Sequence, residues 1–260
     1  MWGWLTLILL CPRPPRKMLK ISVITLFPDI FQSHLQHLPI SRAVEKKLLQ
    51  IDFIDLHDFA IDKRGTVDSS PYGGGPGMVL RPEPIFDAIN FALDRIEEEG
   101  VPQPSRSGSR TSPPTPANVC GTSLIPSIIF LTPRGKTYNQ AAALKLSTAK
   151  NLIIMCGRYE GLDQRVVEYF HAQEISIGNY VLSGGEVAAM AMIESITRLI
   201  PSAIENQEAL ANESFNDGRV EHPQYSRPEE WKGLKVPAEL LSGHHENVKK
   251  WKVANSNSTS

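Results

Sequence analysis

Residues 151–161, with the sequence NLIIMCGRYEG, and residues 174–186, with the sequence EISIGNYVLSGGE, decide the fold class of this chain. Each stretch begins with an apolar run typical of a buried strand and continues with glycines, a tyrosine and a carboxylate. Glycine lets a backbone approach a ligand closely. An open α/β sheet builds its ligand crevice from such loops, at the carboxyl ends of its strands. We therefore predict an α/β protein whose binding site is formed by these two loops.

Apolar runs and amphipathic stretches alternate along the rest of the chain. Runs that predict strands are 20–27, 51–56, 127–132, 151–156 and 174–177. Stretches that predict helices are 41–49, 83–98, 140–149, 163–171, 187–200 and a last piece near 244–251. Strands that alternate with helices predict a parallel sheet covered by helices on both faces.

The composition is that of a soluble globular protein, with 260 residues of which 41% are hydrophobic and 21% charged. A formal charge of −1 excludes a strongly basic nucleic-acid-binding protein, although it allows local basic patches. The three cysteines, Cys11, Cys120 and Cys156, are too few and too scattered for a disulfide framework or a zinc site. We expect a reducing, cytoplasmic setting and no membrane partner.

Three stretches interrupt the α/β pattern. Residues 1–17 contain an apolar run too short to span a bilayer, and we expect an extension before a natural start at Met18; the alternative is a cleaved targeting segment. Residues 100–126 are rich in proline, serine and glycine and predict a disordered insertion. Residues 202–218 are polar and acidic and predict a linker between residues 18–201 and a short segment, 219–260.

Several short motifs have more than one interpretation. Ser183 and Glu186 fit a capping box at the start of a helix, and the same loop could also bind a ligand. The glycine-rich run 73–77 lacks the Lys-Ser/Thr of a phosphate-binding loop, and it does not fit a dinucleotide fingerprint. Cys156 ends an apolar strand and is predicted to be a buried small side chain rather than a nucleophile. The histidines form no metal-binding motif, so no metal ligands are predicted.

Five motifs follow one another in a fixed order along the chain. They are ITLFP at 24–28, SRAV at 41–44, RGTVD at 64–68 with PYGGGPGM at 71–78, CGRYEG at 156–161 and SIGNYVLSGGE at 176–186. Taken together, these motifs resemble those of the bacterial tRNA (guanine-N1-)-methyltransferases of the TrmD type. The resemblance covers the chain from about Met18 to Trp251, apart from the 100–126 insertion.

The resemblance implies a SPOUT fold, in which the end of the parallel sheet threads into a trefoil knot. It implies a homodimer with its active site at the interface. The implied reaction transfers a methyl group from S-adenosylmethionine to N1 of the guanine at tRNA position 37, next to the anticodon. The resemblance also suggests magnesium as an accessory ion. Because the family's helical C-terminal domain is longer, residues 219–260 are expected to be a shortened tRNA-binding segment.

The resemblance also implies roles for individual residues. Arg198 is expected to stabilise the charge that develops on the guanine. Glu213 is expected to be the catalytic base; the family has an aspartate there. Asn179 stands where the family usually has an acid. The residues expected to bind the cofactor are Gly157, Tyr159, Glu160, Gly161, Ile177, Gly178, Asn179, Tyr180, Val181, Leu182, Gly184 and Gly185.

Two alternatives to an active tRNA methyltransferase are left open by the residues. Glu213 and the short C-terminal segment are also consistent with an RNA- or cofactor-binding protein that has lost turnover. A related SPOUT enzyme that methylates another RNA would carry similar loops. Modified-nucleoside analysis of tRNA separates the three hypotheses.

Overall fold

The computed structural model describes residues 18–98, 126–205, 213–215 and 219–258. The predictions for residues 1–17 and for insertion residues 100–125 lie outside this part of the chain. Strands, numbered over the described residues, are β1 Leu19–Thr25, β2 Leu49–Asp55, β3 Asp68–Ser69, β4 Val79–Leu80, β5 Ser127–Thr137, β6 Asn151–Cys156, β7 Gln173–Ser176, β8 Arg219–Val220, β9 Glu230–Trp231, β10 Leu234–Lys235 and β11 Asn257–Ser258. Helices are α1 Gln32–Leu35, α2 Ile40–Glu45, α3 Pro82–Glu98, α4 Gln140–Ser147, α5 Gln164–Tyr169, α6 Glu186–Leu199, α7 Ala238–Leu241 and α8 His245–Ala254.

Five parallel strands form the central sheet in the order β2-β1-β6-β5-β7. Because the strands are parallel, the loops that follow β1, β5, β6 and β7 leave the sheet at the same edge. The two loops quoted from the sequence follow β6 and β7, so both lie at this edge. The predicted α/β fold with a parallel sheet is confirmed; the trefoil knot stays a prediction.

Side chains of the central strands alternate between two apolar cores, one on each face of the sheet. On β6, Leu152, Ile154 and Cys156 enter the first core, whereas Ile153 and Met155 enter the second. Helices α2, α4 and α6 contribute residues to the first core, and α3 and α5 contribute to the second. The prediction of helices on both faces is therefore confirmed, and burial on both faces explains why residues 152–156 of β6 are all apolar.

The predicted helix at 41–49 is wrong over its second half. Helix α2 ends at Glu45, and Leu49 already begins strand β2. Lys47 takes a positive φ of 54°, and the Leu48 amide donates to the Ala43 carbonyl at 2.9 Å. This closing turn, which apolar spacing does not reveal, carries the chain from the helix directly into the sheet.

The strand predicted at 127–132 is longer in the structure. Strand β5 continues to Thr137 through a bulge, because Leu131 and Lys136 both pair with Ile175 of β7. Gly135 is required in the bulge, since a Cβ there would lie 2.4 Å from the Ile175 amide nitrogen. Bulges re-aim the chain beside binding sites, and this one directs Thr132, Pro133 and Arg134 toward the loop edge.

Residues 219–258 form four short strands and two helices. The helix predicted near 244–251 is confirmed as α8, His245–Ala254. Trp251 of α8 makes edge contacts with His222 and Tyr225, with ring centroids 5.8 and 6.0 Å apart. Within the described ranges, no helix combines the length and the apolar character that a membrane span needs.

Candidate active site

A cavity of about 260 Å³ opens at the carboxyl edge of the sheet, between the loops that follow β5, β6 and β7. Its wall combines five glycines with larger apolar, aromatic and charged side chains. Its lining residues are Phe130, Leu131, Thr132, Pro133, Arg134, Gly157, Arg158, Tyr159, Glu160, Gly161, Ile175, Ser176, Ile177, Gly178, Tyr180, Val181, Leu182, Ser183, Gly184, Gly185 and Ala188.

Two glycines let the loops of this cavity approach each other. The Gly185 amide donates to the Gly157 carbonyl at 2.8 Å. A Cβ at Gly185 would lie 2.9 Å from Cys156 Cα, and a Cβ at Gly157 would lie 2.9 Å from the Leu131 carbonyl oxygen. Both contacts are with backbone, which cannot move aside as a flexible side chain can. Glycine is therefore needed at these positions for packing between strands, whatever the ligand.

The predicted capping box of Ser183 and Glu186 is wrong. Helix α6 begins at Glu186 with Gly185 as its N-cap, and no side chain caps it. The Glu186 carboxylate instead turns into the protein, where it accepts hydrogen bonds from Thr25 and Arg158. An acid in the first turn of a helix also suits the helix dipole, so the motif predicts the helix start correctly and the partner incorrectly.

Tyr159 and Glu160 occupy a tight turn beside the glycine-rich loop. Tyr159 has a positive φ of 57°, which a tyrosine adopts only when its surroundings impose it. The Glu160 amide donates to the Met78 carbonyl at 2.9 Å, and the Glu160 side chain lies where a Cβ of Gly77 would stand. The pKa of Tyr159 is raised, mainly by desolvation and further by the Asp68 carboxylate. The phenol therefore stays neutral at physiological pH.

A second cleft, of about 390 Å³, contains the two predicted catalytic residues. Arg198 donates from Nη2 to Glu213 Oε1, so the two side chains form an ion pair. Glu213 is about a quarter exposed, and the cleft is open to solvent. Its other lining residues are Gln140, Ser195, Leu199, Ser214, Phe215 and Glu221.

The two clefts lie at opposite ends of helix α6. Gly185 and Ala188 line the first cavity, at the start of the helix, whereas Arg198 lies in its last turn. Twelve residues of α-helix separate Glu186 from Arg198, which corresponds to about 18 Å. Among the described residues, none lines both clefts. The fold of one protomer thus brings the predicted catalytic pair together but keeps it apart from the predicted cofactor residues.

Comparison with known proteins finds one family whose model matches almost the whole described chain. The model of tRNA (Guanine-1)-methyltransferase TrmD matches residues 19–260. The chain belongs to the TrmD family. It is 39% identical over 234 residues to the tRNA (guanine-N(1)-)-methyltransferase of Clostridioides difficile, covering 90% of each chain. It is 42% identical to the protein of that name from Clostridium perfringens and 40% identical to that from Dehalococcoides mccartyi, over 90% of this chain and 86% and 84% of theirs.

The fold gathers the cofactor residues that TrmD resemblance suggested, with one exception. Eleven of the twelve line the first cavity. Asn179 does not line it; its side chain is exposed at the outer side of the loop after β7. Its assignment, like the others, stays a prediction about binding, and the geometry supports it less than it supports its neighbours.

Sequence reasoning overlooked the residues that hold the two loops of the first cavity together. Glu186 was interpreted only as a helix cap, and Arg158 and Thr25 were quoted within motifs without a role. An acid that follows two glycines at the start of a helix, together with an arginine in the neighbouring loop, was the available signal. The contribution of Thr132, Pro133 and Arg134 depends on the bulge in β5, which the sequence did not reveal.

No metal centre accompanies this site in the described ranges, where no group of three or more His, Cys, Asp or Glu side chains is arranged to hold an ion. Magnesium therefore has no fitting ligand set among these residues, and we derive no step through it. The position and lining of the first cavity suit an S-adenosyl group. The cavity lies at the carboxyl edge of the sheet, where open α/β folds bind nucleotide-like ligands. Its wall combines apolar side chains such as Ile177 and Leu182 with polar groups, and Arg134 at the rim is held by Gln164 and Glu174.

Proposed function

We propose that this chain transfers the methyl group of S-adenosylmethionine to N1 of a guanine in tRNA, the guanine at position 37 as the family resemblance implies. Membership of the TrmD family and the names of the relatives support the reaction class. The observation that supports the proposal is the cavity between the loops after β6 and β7, at the carboxyl edge of the sheet, where open α/β folds bind nucleoside-like ligands. S-adenosylmethionine supplies a methyl group activated on a sulfonium sulfur.

Glu213 is the proposed base. N1 of guanine carries a proton and is a poor nucleophile until a base removes it. A positioned carboxylate contributes about 10²–10⁴ in rate to such a step. Arg198, which holds Glu213 in the second cleft, is the proposed partner for the negative charge that develops toward O6 of the base. Both side chains lie in one open cleft, where a base turned out of the tRNA could enter.

A homodimer is proposed, because one protomer does not join its two clefts. The two ends of α6 are about 18 Å apart, and a methyl group cannot be transferred directly from the cofactor to the guanine over such a distance. A second copy related by a two-fold axis would bring its Arg198 and Glu213 to the first cavity of its partner. Subunit mixing tests this arrangement: a Gly185 variant and a Glu213 variant, each inactive alone, should regain part of the parental activity together. A monomeric mass by light scattering in a fully active sample would contradict it.

Residues 219–258 are the proposed tRNA contact. Lys249, Lys250 and Lys252 are exposed on α8, while Trp251 between them packs inward against His222 and Tyr225. Lysine ammonium groups on an exposed helix suit RNA phosphates, and each phosphate contact steepens the salt dependence of binding. Alanine at all three positions should weaken tRNA binding and flatten its salt dependence. Equal affinity at every salt concentration would refute the assignment.

The cytoplasm, where tRNA is abundant, is the proposed site of action.

Mass spectrometry of nucleosides from tRNA treated with the purified protein tests the whole proposal. Appearance of 1-methylguanosine, only when S-adenosylmethionine is present, is the expected result. Cofactor binding without any methylated nucleoside would favour the non-catalytic alternative. Methylation of another RNA but not of tRNA would favour the alternative of a related enzyme.

A further inference from the structure

Three elements of the fold meet at one buried carboxylate, that of Glu186. Glu186 is the first residue of helix α6, and the residue is 2% exposed. Thr25, the last residue of β1, donates from Oγ1 to Glu186 Oε1 at 3.0 Å. Arg158, in the loop after β6, donates from Nε to Oε1 and Oε2 at 3.2 and 3.1 Å. A carboxylate withdrawn from water persists only with such partners, so Glu186 and Arg158 depend on each other.

Arg158 is held on its other sides as well, and it borders the first cavity. Its guanidinium carbon lies 4.4 Å from the centroid of the Phe27 ring, a distance at which the cation and the ring attract each other. Its backbone pairs with Gly184 of the loop after β7. Arg158 and Gly184 both line the cavity. The side chain that Glu186 holds is therefore part of the wall itself.

The loop after β7 passes directly over this ion pair. A Cβ at Gly184 would lie 2.3 Å from Arg158 Nε and 2.4 Å from Glu186 Oε2. Any outward turn of the guanidinium would therefore displace residues 183–185, which form one side of the cavity. The spacing between the two loops depends on where Arg158 lies, and Glu186 determines that position.

We propose that Glu186 is a positioning residue for methyl transfer, which acts by holding Arg158 so that the two loops keep the spacing that the cofactor requires. The inference rests on the function proposed above. Glu186 lies below the wall and does not itself border the cavity. Loss of its charge frees the guanidinium to turn toward solvent. The cavity then loosens, while the catalytic pair at the other end of α6 is unaffected.

The test is the affinity for S-adenosylmethionine of the Glu186→Gln variant, measured by calorimetry on the full chain. Glutamine keeps the volume and can still accept from Thr25, but it loses the negative charge and one of the two oxygens that accept from Arg158, so the ion pair is removed. We expect Kd and KM for S-adenosylmethionine to rise about 10-fold or more, as for residues coupled in one network, with a smaller change in kcat. The matched control is Glu194→Gln, which removes an exposed carboxylate from the same helix and should leave both constants unchanged.

A second variant separates positioning from a general loss of structure. If Glu186 acts through Arg158, the double variant Glu186→Gln with Arg158→Lys should bind the cofactor no more weakly than Arg158→Lys alone. Additive losses, or a folded Glu186→Gln protein with parental Kd, would overturn the proposal. If Glu186→Gln does not fold, Thr25→Val is measured in its place. It removes the hydroxyl that donates to Glu186 and accepts from the Phe27 amide at 3.1 Å, and a parental Kd in this variant would also overturn the proposal. If the unsubstituted protein binds S-adenosylmethionine but methylates no tRNA, the proposed function is wrong. The comparison of Kd values between variants would still decide the role of Glu186.

Discussion

Arg198 and Glu213 form an ion pair that joins the end of helix α6 to the linker after it. The pair explains how a carboxylate from a polar stretch of chain acquires a defined position. Ser214, the next residue, accepts from the Glu221 amide at 3.0 Å, so the linker is held from both sides. These contacts distinguish Glu213 from a fully solvated acid on a polar linker.

Replacement of Glu213 by glutamine should stop proton removal while leaving binding intact. The amide keeps the size of the side chain and can still accept from Arg198, but it cannot take a proton from guanine N1. We expect single-turnover methyl transfer to fall by about 10²-fold or more, with unchanged affinity for cofactor and tRNA. Rapid-quench kinetics with saturating enzyme measures this rate.

The Glu213→Asp variant is the companion to that experiment. It keeps the carboxylate and returns the shorter side chain that the family pattern uses. We expect a rate equal to or above that of the parent, because a misplacement of about 1 Å costs on the order of 10²-fold in such steps. If both variants transfer methyl groups at the rate of the unsubstituted protein, Glu213 is not the catalytic base, and Glu160 is the next candidate.

Alanine at Gly185 should weaken cofactor binding more than alanine at Gly178. At Gly185 the new methyl group meets backbone atoms of Cys156 and Gly157 at 2.9 Å, and the loop must shift. At Gly178 it meets the Tyr180 ring at 2.4 Å, and this exposed ring can turn aside. Overpacking costs about 1–3 kcal/mol, and if that cost falls on the loop that binds the cofactor, it corresponds to a loss of about 5- to 150-fold in affinity. Calorimetry with S-adenosylmethionine compares the two variants, and equal losses would contradict the geometric argument.

The sequence predicted the sheet and the two loops because both depend on local patterns. The apolar run of β6 and the glycines that follow it are legible without knowledge of the rest of the chain. The partner of Glu186 was not predictable in this way. Thr25 lies 161 residues away, and only the strand order brings it next to α6. The bulge at Gly135 was missed for the same reason, since its register depends on β7.

The separation of the two clefts was also beyond the sequence. Motif order suggested one site, and family resemblance supplied the dimer that would reunite its parts. The length of α6 between Gly185 and Arg198 is the structural observation that favours the proposed dimer.

Removal of the carboxylate of Asp163 should destabilise the protein in a pH-dependent manner. Asp163 caps α5 by accepting from the Arg165 amide at 3.0 Å, and it pairs with the Arg165 guanidinium at 2.7 Å. The hydrogen bond from Arg165 is the main cause of the lowered pKa of Asp163. We expect Asp163→Ala to cost about 0.5–2 kcal/mol of unfolding free energy near pH 7.

That cost should disappear in acid. A lowered folded-state pKa means that the carboxylate stabilises the fold above the unfolded value of about 3.9. The stabilisation is then lost as the pH falls through the folded-state pKa. Denaturant unfolding of parent and variant between neutral and strongly acidic pH measures the difference. Asp87→Ala, at an exposed position of α3, is the control, and an equal pH dependence in both variants would contradict the assignment.

Cys156 should be inert toward alkylation while the protein is folded. Its side chain is 1% exposed at the end of β6, and its pKa is raised well above the ordinary value, first by desolvation and then by the Glu186 carboxylate. A buried, protonated thiol is a poor nucleophile. With Cys11 and Cys120 replaced by serine, iodoacetamide at mildly alkaline pH should label the protein only after unfolding in guanidinium. Because burial is the larger cause, Glu186→Gln should leave this protection in place. Rapid labelling of the native parent would show instead that the thiol is reachable and would reopen a chemical role for it.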